Sequence, residues 1–186
     1  MIKKLSNITK FQSGIYEKPT LHADTLYLQA IHFSKTGQFD TIVQPQLQLD
    51  NKIEKHLLQE GDLLFAAKGL NNFAVVYHTY IGKAVASSSF IIIRLTDKSI
   101  TADYLAWFIS HNKKVKLLHQ QQLGTTIPSI SMKQLAELEI DIPSLEMQET
   151  IVKVQRLREK EKMLTQQLQH YKDKQIQFQL SKAIKI

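Results

Sequence analysis

Cysteine does not occur in the 186 residues of this chain, which excludes disulfide scaffolds, thiolate zinc sites and cysteine nucleophiles. Glycine is scarce, and the six that occur form neither a P-loop nor a G-x-G-x-x-G turn, so both nucleotide-binding fingerprints are missing. A G-x-S-x-G elbow is missing too. Seven histidines, at His22, His32, His56, His78, His111, His119 and His170, stand without H-x-H or H-E-x-x-H spacing, the pattern of surface or core histidines rather than of a metal site. The carboxylates supply no Glu-x-Lys element, and Asp50-x-Lys52 sits in a polar loop. No catalytic residue, metal or cofactor is therefore expected. Long apolar runs are also lacking. Stretches such as Phe90-Ile91-Ile92-Ile93 are far too short to span a bilayer. Residues Met1 to Asn7 carry lysines with no apolar run behind them, so no signal peptide is expected. The expected setting is the cytoplasm.

What is present is a core and a surplus of positive charge. Hydrophobic residues make up 43% of the chain, enough for an ordered domain. The net charge of +7 favours polyanions as partners, because each phosphate neutralised releases condensed counterions.

Along the chain, Thr25 to Phe33 reads as a strand rich in β-branched and aromatic residues, followed by a turn at Lys35-Thr36-Gly37-Gln38. Gly61-Asp62 precedes a second strand, Leu63 to Ala67. Lys68 to Asn72 reads as a hairpin loop and Phe73 to Tyr77 as its return strand. Another strand pair is expected around Ile81-Gly82 and from Ser88 to Leu95. Helices then take over. Thr101 suits a helix N-cap, with Tyr104, Leu105, Phe108 and Ile109 at helical spacing. Val115, Leu117 and Leu118 suggest a shorter second helix, and Ser131-x-x-Gln134 fits a capping box. Strands first and helices later, without a βαβ period, predict an α+β fold.

A strand at Ile140 to Ile142 then leads into 43 residues, from Ser144 onward, that contain neither glycine nor proline. Ser144 is a candidate N-cap. Met147, Ile151, Val154, Leu157, Leu164, Leu168, Tyr171 and Phe178 recur mostly at three, four or seven, the stripe of a helix that packs against another helix. Glu161 and Gln175 interrupt the stripe. A helix from Ser144 to about Lys182 measures roughly 60 Å at 1.5 Å per residue. The expected division is a globular domain over 1–143 and a long spacer and dimerisation helix over 144–186.

Binding chemistry is better represented than catalysis. Lys68, Asn71 and Asn72 share one loop, and asparagine can read adenine bidentately while lysine meets guanine or phosphate. Ser87, Ser88 and Ser89 place hydroxyls together. Lys113, Lys114, Lys116, His119, Gln120, Gln121 and Gln122 run into Gly124-Thr125-Thr126, a basic, amide-rich segment ending in hydroxyls. From the residues alone, two readings stay open. One is a DNA-contacting domain. The other is a non-catalytic α+β interaction module whose coiled-coil arm scaffolds proteins and never touches DNA.

The order of the motifs resembles a known family. Gly61-Asp62-Leu63-Leu64-Phe65 is similar to a "GDIL" strand, Ala84 to Phe90 to a small-residue and serine stretch, and Tyr104-Leu105 with Phe108 to a "YL..F" helix. Gly124 to Ser131, Leu135, and then Ile142-Pro143-Ser144-Leu145-Glu146-Met147-Gln148 with Ile151 resemble a closing signature. These are the marks of the specificity (S) subunit of type I restriction-modification systems. Pro143-Ser144 stands where the family usually has Pro-Pro, and this chain carries one recognition domain and one helix where such subunits usually carry two of each. It resembles a half subunit, a length equally consistent with a natural single-domain form, a silent cassette or a fragment. The resemblance implies a non-catalytic chain that reads one half of a bipartite double-stranded DNA site. It further implies a helix that spaces the half-sites and docks methyltransferase (M) subunits, and through them R subunits, with a homodimer restoring the missing half.

Overall fold

The computed structural model describes residues 1–34, 37–39, 43–69, 71–121 and 129–183. Lys35, Thr36, Leu70, Gln122, Gly124, Thr125 and Thr126, among the residues singled out above, lie outside them. The chain divides into two compact units, Met1–Gln148 and Glu149–Ile186.

The first unit is built on three small sheets. Strands β1 (Ile2–Lys4) and β2 (Thr9–Ser13) open the chain, and β3 (Leu26–Leu28) follows. Helix α1 (Asn51–Glu54) is capped by the Asp50 carboxylate, which accepts from the Lys52 and Ile53 amides. Strands β4 (Leu63–Ala66), β5 (Ala74–Val76), β6 (Ala84–Ala86) and β7 (Phe90–Leu95) come next. Then come α2 (Ala102–His111), α3 (Lys113–Gln121), α4 (Met132–Ala136), β8 (Glu139–Asp141) and α5 (Leu145–Ala183). The main sheet is antiparallel in the order β2-β7-β4-β5, while β3 pairs parallel with β6 and β1 antiparallel with β8. This is the mixed α+β architecture that the sequence predicts.

Alternation along the strands decides the packing. Leu64, Ala66, Phe90 and Ile92 face the β3–β6 pair and share a core with Leu26, Leu28, Phe33, Phe73 and Tyr77. Phe33 packs edge-on against Phe90 with ring centroids 5.7 Å apart, and Phe73 likewise against Phe90 at 6.0 Å. The opposite strand face carries Leu63, Phe65, Ile91 and Ile93, all buried. Helix α2 lies against β5 and buries Tyr104, Leu105 and Ile109.

The helix caps form as the sequence predicts. The Thr101 hydroxyl accepts from the Tyr104 amide at 3.2 Å, and Ser131 and Gln134 complete a reciprocal box. The Ser144 hydroxyl accepts from the Met147 amide at 3.3 Å. The strands differ more. The expected strand over Thr25 to Phe33 ends at Leu28, because Gln29 and His32 cap a 3-10 turn over Ala30–His32. The residues around Ile81 and from Ser88 onward do not pair with each other. Ile81 ends a 3-10 turn, β6 joins β3, and β7 lies between β2 and β4. A turn in which the Phe90 amide donates to the Ser87 carbonyl at 2.9 Å sends the chain from one sheet to the other.

The second unit is the body of α5, a single helix with 39 residues in all. Among the described residues no helix is long and apolar enough to cross a membrane.

Candidate nucleic-acid interface

Four strands fix which loops share one end of the main sheet. β4 ends at Ala66 and β5 starts at Ala74, while β7 starts at Phe90 and β2 ends at Ser13 beside Ile91. The hairpin loop after β4 is closed by backbone and side chain together. The Ala66 amide donates to the Phe73 carbonyl at 2.9 Å, and the Asn72 side-chain amide donates to the Ala66 carbonyl at 2.7 Å. Gly69 turns this loop at φ 103°, a conformation that favours glycine.

Two further segments are tied to it. The Ala67 amide donates to the Ser89 carbonyl at 2.9 Å, and the Ile130 amide donates to the Ala67 carbonyl at 2.9 Å. Lys68 pairs with Ser129 in an isolated antiparallel bridge. Residues 67–69 are thus held between the Ser87–Ser89 turn and the segment that enters α4, with Ile130 fully buried as the anchor. A fourth segment arrives through α2. The Ser110 hydroxyl accepts from the Ala74 amide at 3.3 Å, which sets the α2–α3 corner beside the hairpin. Asn112 caps α3 through a 2.8 Å bond from the Lys114 amide, and buried Val115 anchors that helix. Lys113, Lys114 and Lys116 are exposed on it.

The structure therefore brings Lys68, Asn71, Asn72, Ser87, Ser88 and the lysines of α3 to one end of one sheet. Their availability differs. Lys68 and Asn71 are exposed. The Asn72 amide closes its own hairpin, and its Oδ1 is buried without a hydrogen-bond partner. Ser87 is buried with its hydroxyl 2.7 Å from that of Ser89, whereas Ser88 is half-buried. Gln121 ends α3, and its side chain lies outside the described atoms, as do Gln122, Thr125 and Thr126 entirely.

Charge separates the two ends of the sheet. Seven ion pairs occur among the described residues, and none involves Lys68, Lys113, Lys114 or Lys116. At the opposite end Arg94 grips buried Asp62 with two bonds of 2.7 and 2.6 Å. There too the Thr79 amide, the His78 ring and the Thr79 hydroxyl hold the Glu60 carboxyl down at about 2. Beyond β7, Lys3 and then Ser99 hold the Asp97 carboxyl well below the usual carboxylate range. The sequence carries a signal for this asymmetry. No Asp or Glu occurs between Asp62 and Asp97, or between Asp103 and Glu137, and the four converging segments all come from these two stretches. This end therefore presents lysines that no carboxylate among the described residues pairs with.

Two exposed side chains at the same end have no periodic mark in the sequence. Ile15 pairs in parallel with Ser87, and exposed Tyr16 follows it. Gly14 permits this crossing, since a Cβ there would lie 2.0 Å from the Ser87 carbonyl oxygen. The Leu28 carbonyl accepts from the Ser87 amide at 2.8 Å, and exposed Ile31 lies in the turn beyond.

At the start of α5, Gln148 is fully buried. Its Nε2 donates to the Ser99 and Pro143 carbonyls at 2.8 and 2.9 Å, and its Oε1 accepts from the Thr101 amide at 2.9 Å. Of the stripe residues on α5, Met147, Val154, Leu157, Leu164, Leu168, Tyr171 and Phe178 are each about half exposed or more, whereas Ile151 is half-buried. Among the described residues no group of His, Asp and Glu is arranged to hold a metal ion.

Comparison with known proteins places this architecture in a class. The model of the type I restriction modification DNA specificity domain matches residues 11–170, most of the chain. The chain belongs to that family. Solved structures agree on the fold. The HsdS subunit from Thermoanaerobacter tengcongensis is 14% identical with a TM-score of 0.60, the match covering 87% of this chain and 37% of that one. The type I restriction-modification S subunit from M. genitalium is 14% identical with a TM-score of 0.58, covering 86% and 39%. A chain from a study of assembly and conformational transition of the type I R-M system is 14% identical with a TM-score of 0.60, covering 88% and 39%. This chain thus spans about two fifths of the length of the structures it matches. No curated protein sequence matches it.

Proposed function

We propose that this chain is a half-sized specificity subunit of a type I restriction-modification complex. The globular unit reads one half of a bipartite DNA site with the sheet end built from residues 67–69, 71 and 72, the Ser87–Ser89 turn, Ser129 and the α2–α3 corner. α5 docks methyltransferase subunits and pairs with a second copy, which supplies the other half-site reader. The chain itself performs no chemistry; methylation and cleavage belong to partner subunits.

The observation that carries this reading is the convergence of four acid-free segments on one sheet end, with four lysines that make no ion pair among the described residues. Family membership weighs against the scaffold-only alternative. The lysines supply affinity, and Asn71 with the loop hydroxyls supplies base discrimination.

Salt dependence of DNA binding by the chain assembled with its methyltransferase subunits tests the assignment. Each phosphate contact contributes about 0.9 to the slope of log K against log salt. Replacing Lys113, Lys114 and Lys116 by alanine is expected to weaken binding to all sequences and to flatten that slope by roughly 2 to 3. Asn71→Ala is expected to relax base preference by about 1–3 kcal/mol with the slope unchanged. A triple lysine variant with an unaltered slope contradicts the assignment of this face.

A further inference from the structure

We infer, resting on the DNA-reading role proposed above, that Tyr16 and Ile31 are specificity residues that recognise the C5-methyl group of thymine within the half-site.

The two residues stand on either side of the Ser87–Ser89 turn. The Ile15 amide donates to the Ala86 carbonyl at 2.9 Å and Ile15 pairs in parallel with Ser87, so Tyr16 follows beside that turn. On the other side β3 runs parallel to β6, and the Ser87 amide donates to the Leu28 carbonyl at 2.8 Å. Ile31 lies three residues beyond Leu28. The turn itself is joined to the Lys68 loop by the bond from the Ala67 amide to the Ser89 carbonyl. Tyr16 and Ile31 therefore share the sheet end whose lysines make no ion pair among the described residues.

The backbone at both positions is pinned from the core. The hydroxyl of buried Tyr27 donates to the Ile15 carbonyl at 2.8 Å and accepts from the Glu17 amide at 3.4 Å, gripping the chain before and after residue 16. Glu17 itself is ion-paired with Lys52. Ile31 is the middle residue of the 3-10 turn Ala30–His32, which buried His32 closes as its Nδ1 accepts from the Gln29 amide at 3.1 Å. Yet Tyr16 and Ile31 themselves are 75% and 79% exposed. Exposed Tyr80, at the other end of the sheet, differs in stacking on His78 with ring centroids 5.4 Å apart. An apolar side chain held outward on a pinned backbone adds little to the core and is preorganised for a partner.

Charge and spacing decide the partner. The lysines around the turn favour a polyanion. Two single side chains separated by the β6 chain are not the contiguous apolar core that a protein interface needs. Along a DNA groove the base edges offer hydrogen-bonding groups and one apolar group, the thymine methyl. The Ile31 side chain has neither donor nor acceptor, and the Tyr16 ring presents a carbon face. Contact with that methyl is the base discrimination such surfaces supply.

Deoxyuridine tests this, since it differs from thymidine only in lacking the methyl group. The full-length chain, assembled with its methyltransferase subunits, is titrated with duplexes carrying the half-site found by methylation mapping, each thymine replaced singly by uracil. The wild-type complex is expected to bind roughly three- to fivefold more weakly at one or more of these positions, the effect of one buried methyl group. Tyr16→Ala and Ile31→Ala are each expected to bind thymine and uracil duplexes equally at one such position, with melting temperature and salt slope unchanged. Indifference of the wild-type complex to uracil at every thymine overturns the inference. So does a thymine preference that survives in both variants with methyltransferase binding lost, which marks a protein contact. A uniform loss of DNA affinity with the thymine preference retained marks a wedge between base steps and overturns it as well. The lysine triple variant separates this inference from the reading beneath it. A flattened salt slope beside uracil indifference overturns the thymine contacts alone, whereas an unaltered slope overturns the face and the contacts with it.

Discussion

A single amide shows how a sequence motif becomes structure. Gln148 lies in the Leu145-Glu146-Met147-Gln148 signature, where its residue type alone reveals no role. In the folded chain it is sealed from solvent and satisfies the Thr101 amide, the Ser99 carbonyl and the Pro143 carbonyl at once. Removing a partner from buried polar groups costs about 1–3 kcal/mol for each group left unsatisfied. Gln148→Ala is therefore expected to lower unfolding free energy by at least about 2 kcal/mol, read as a lower denaturant midpoint. Gln148→Glu keeps the shape but sets a carboxylate against two carbonyls, and is expected to be no better than alanine. A midpoint unchanged in both variants contradicts this role. Asn72 makes a related point. Sequence chemistry marks it as a candidate base contact, and in the folded chain its amide donates to the Ala66 carbonyl and closes the hairpin that carries Lys68 and Asn71.

At the scale of elements, what was legible in the sequence was local. Thr101, Ser131 with Gln134, and Ser144 cap the helices that their spacing predicts, because a cap joins residues within one turn. Strands β1 and β2 had no such signal, being short and mixing lysine with apolar residues. The parallel pairing of β3 with β6 was equally hidden, since it joins Leu26 to Ala84 across residues that carry no periodic mark. The same holds for the candidate interface. Its lysines and hydroxyls stood out as separate loops, but the Lys68–Ser129 bridge that unites them is a long-range contact. The long helix was the most legible element, because its apolar residues recur mostly at three, four or seven with neither glycine nor proline among them. Glutamates in place of Leu164 and Leu168 introduce like charges at its centre and are expected to convert a dimer to a monomer by light scattering. The globular unit should keep its melting temperature. An unchanged mass and an unchanged complex with methyltransferase subunits contradict α5 as the joining element.

For the whole molecule, the two features belong together. The globular unit offers one candidate surface, a single sheet end whose lysines make no ion pair among the described residues. The helix offers an exposed apolar stripe, the surface through which pairing with a second copy is proposed. If the proposed pair forms, two-fold symmetry duplicates the candidate surface in inverted orientation, and the expected site is an inverted repeat with a gap between the halves. On the proposed function, this chain alone determines which DNA sequence the methyltransferase subunits modify. Co-expression of the chain with its methyltransferase subunits in a host without other modification, followed by genome-wide mapping of methylated bases, tests that claim most directly. The account predicts methylation at one gapped, palindromic sequence, lost when the chain is omitted. Methylation that persists without the chain, an asymmetric site, or no new methylation contradicts it.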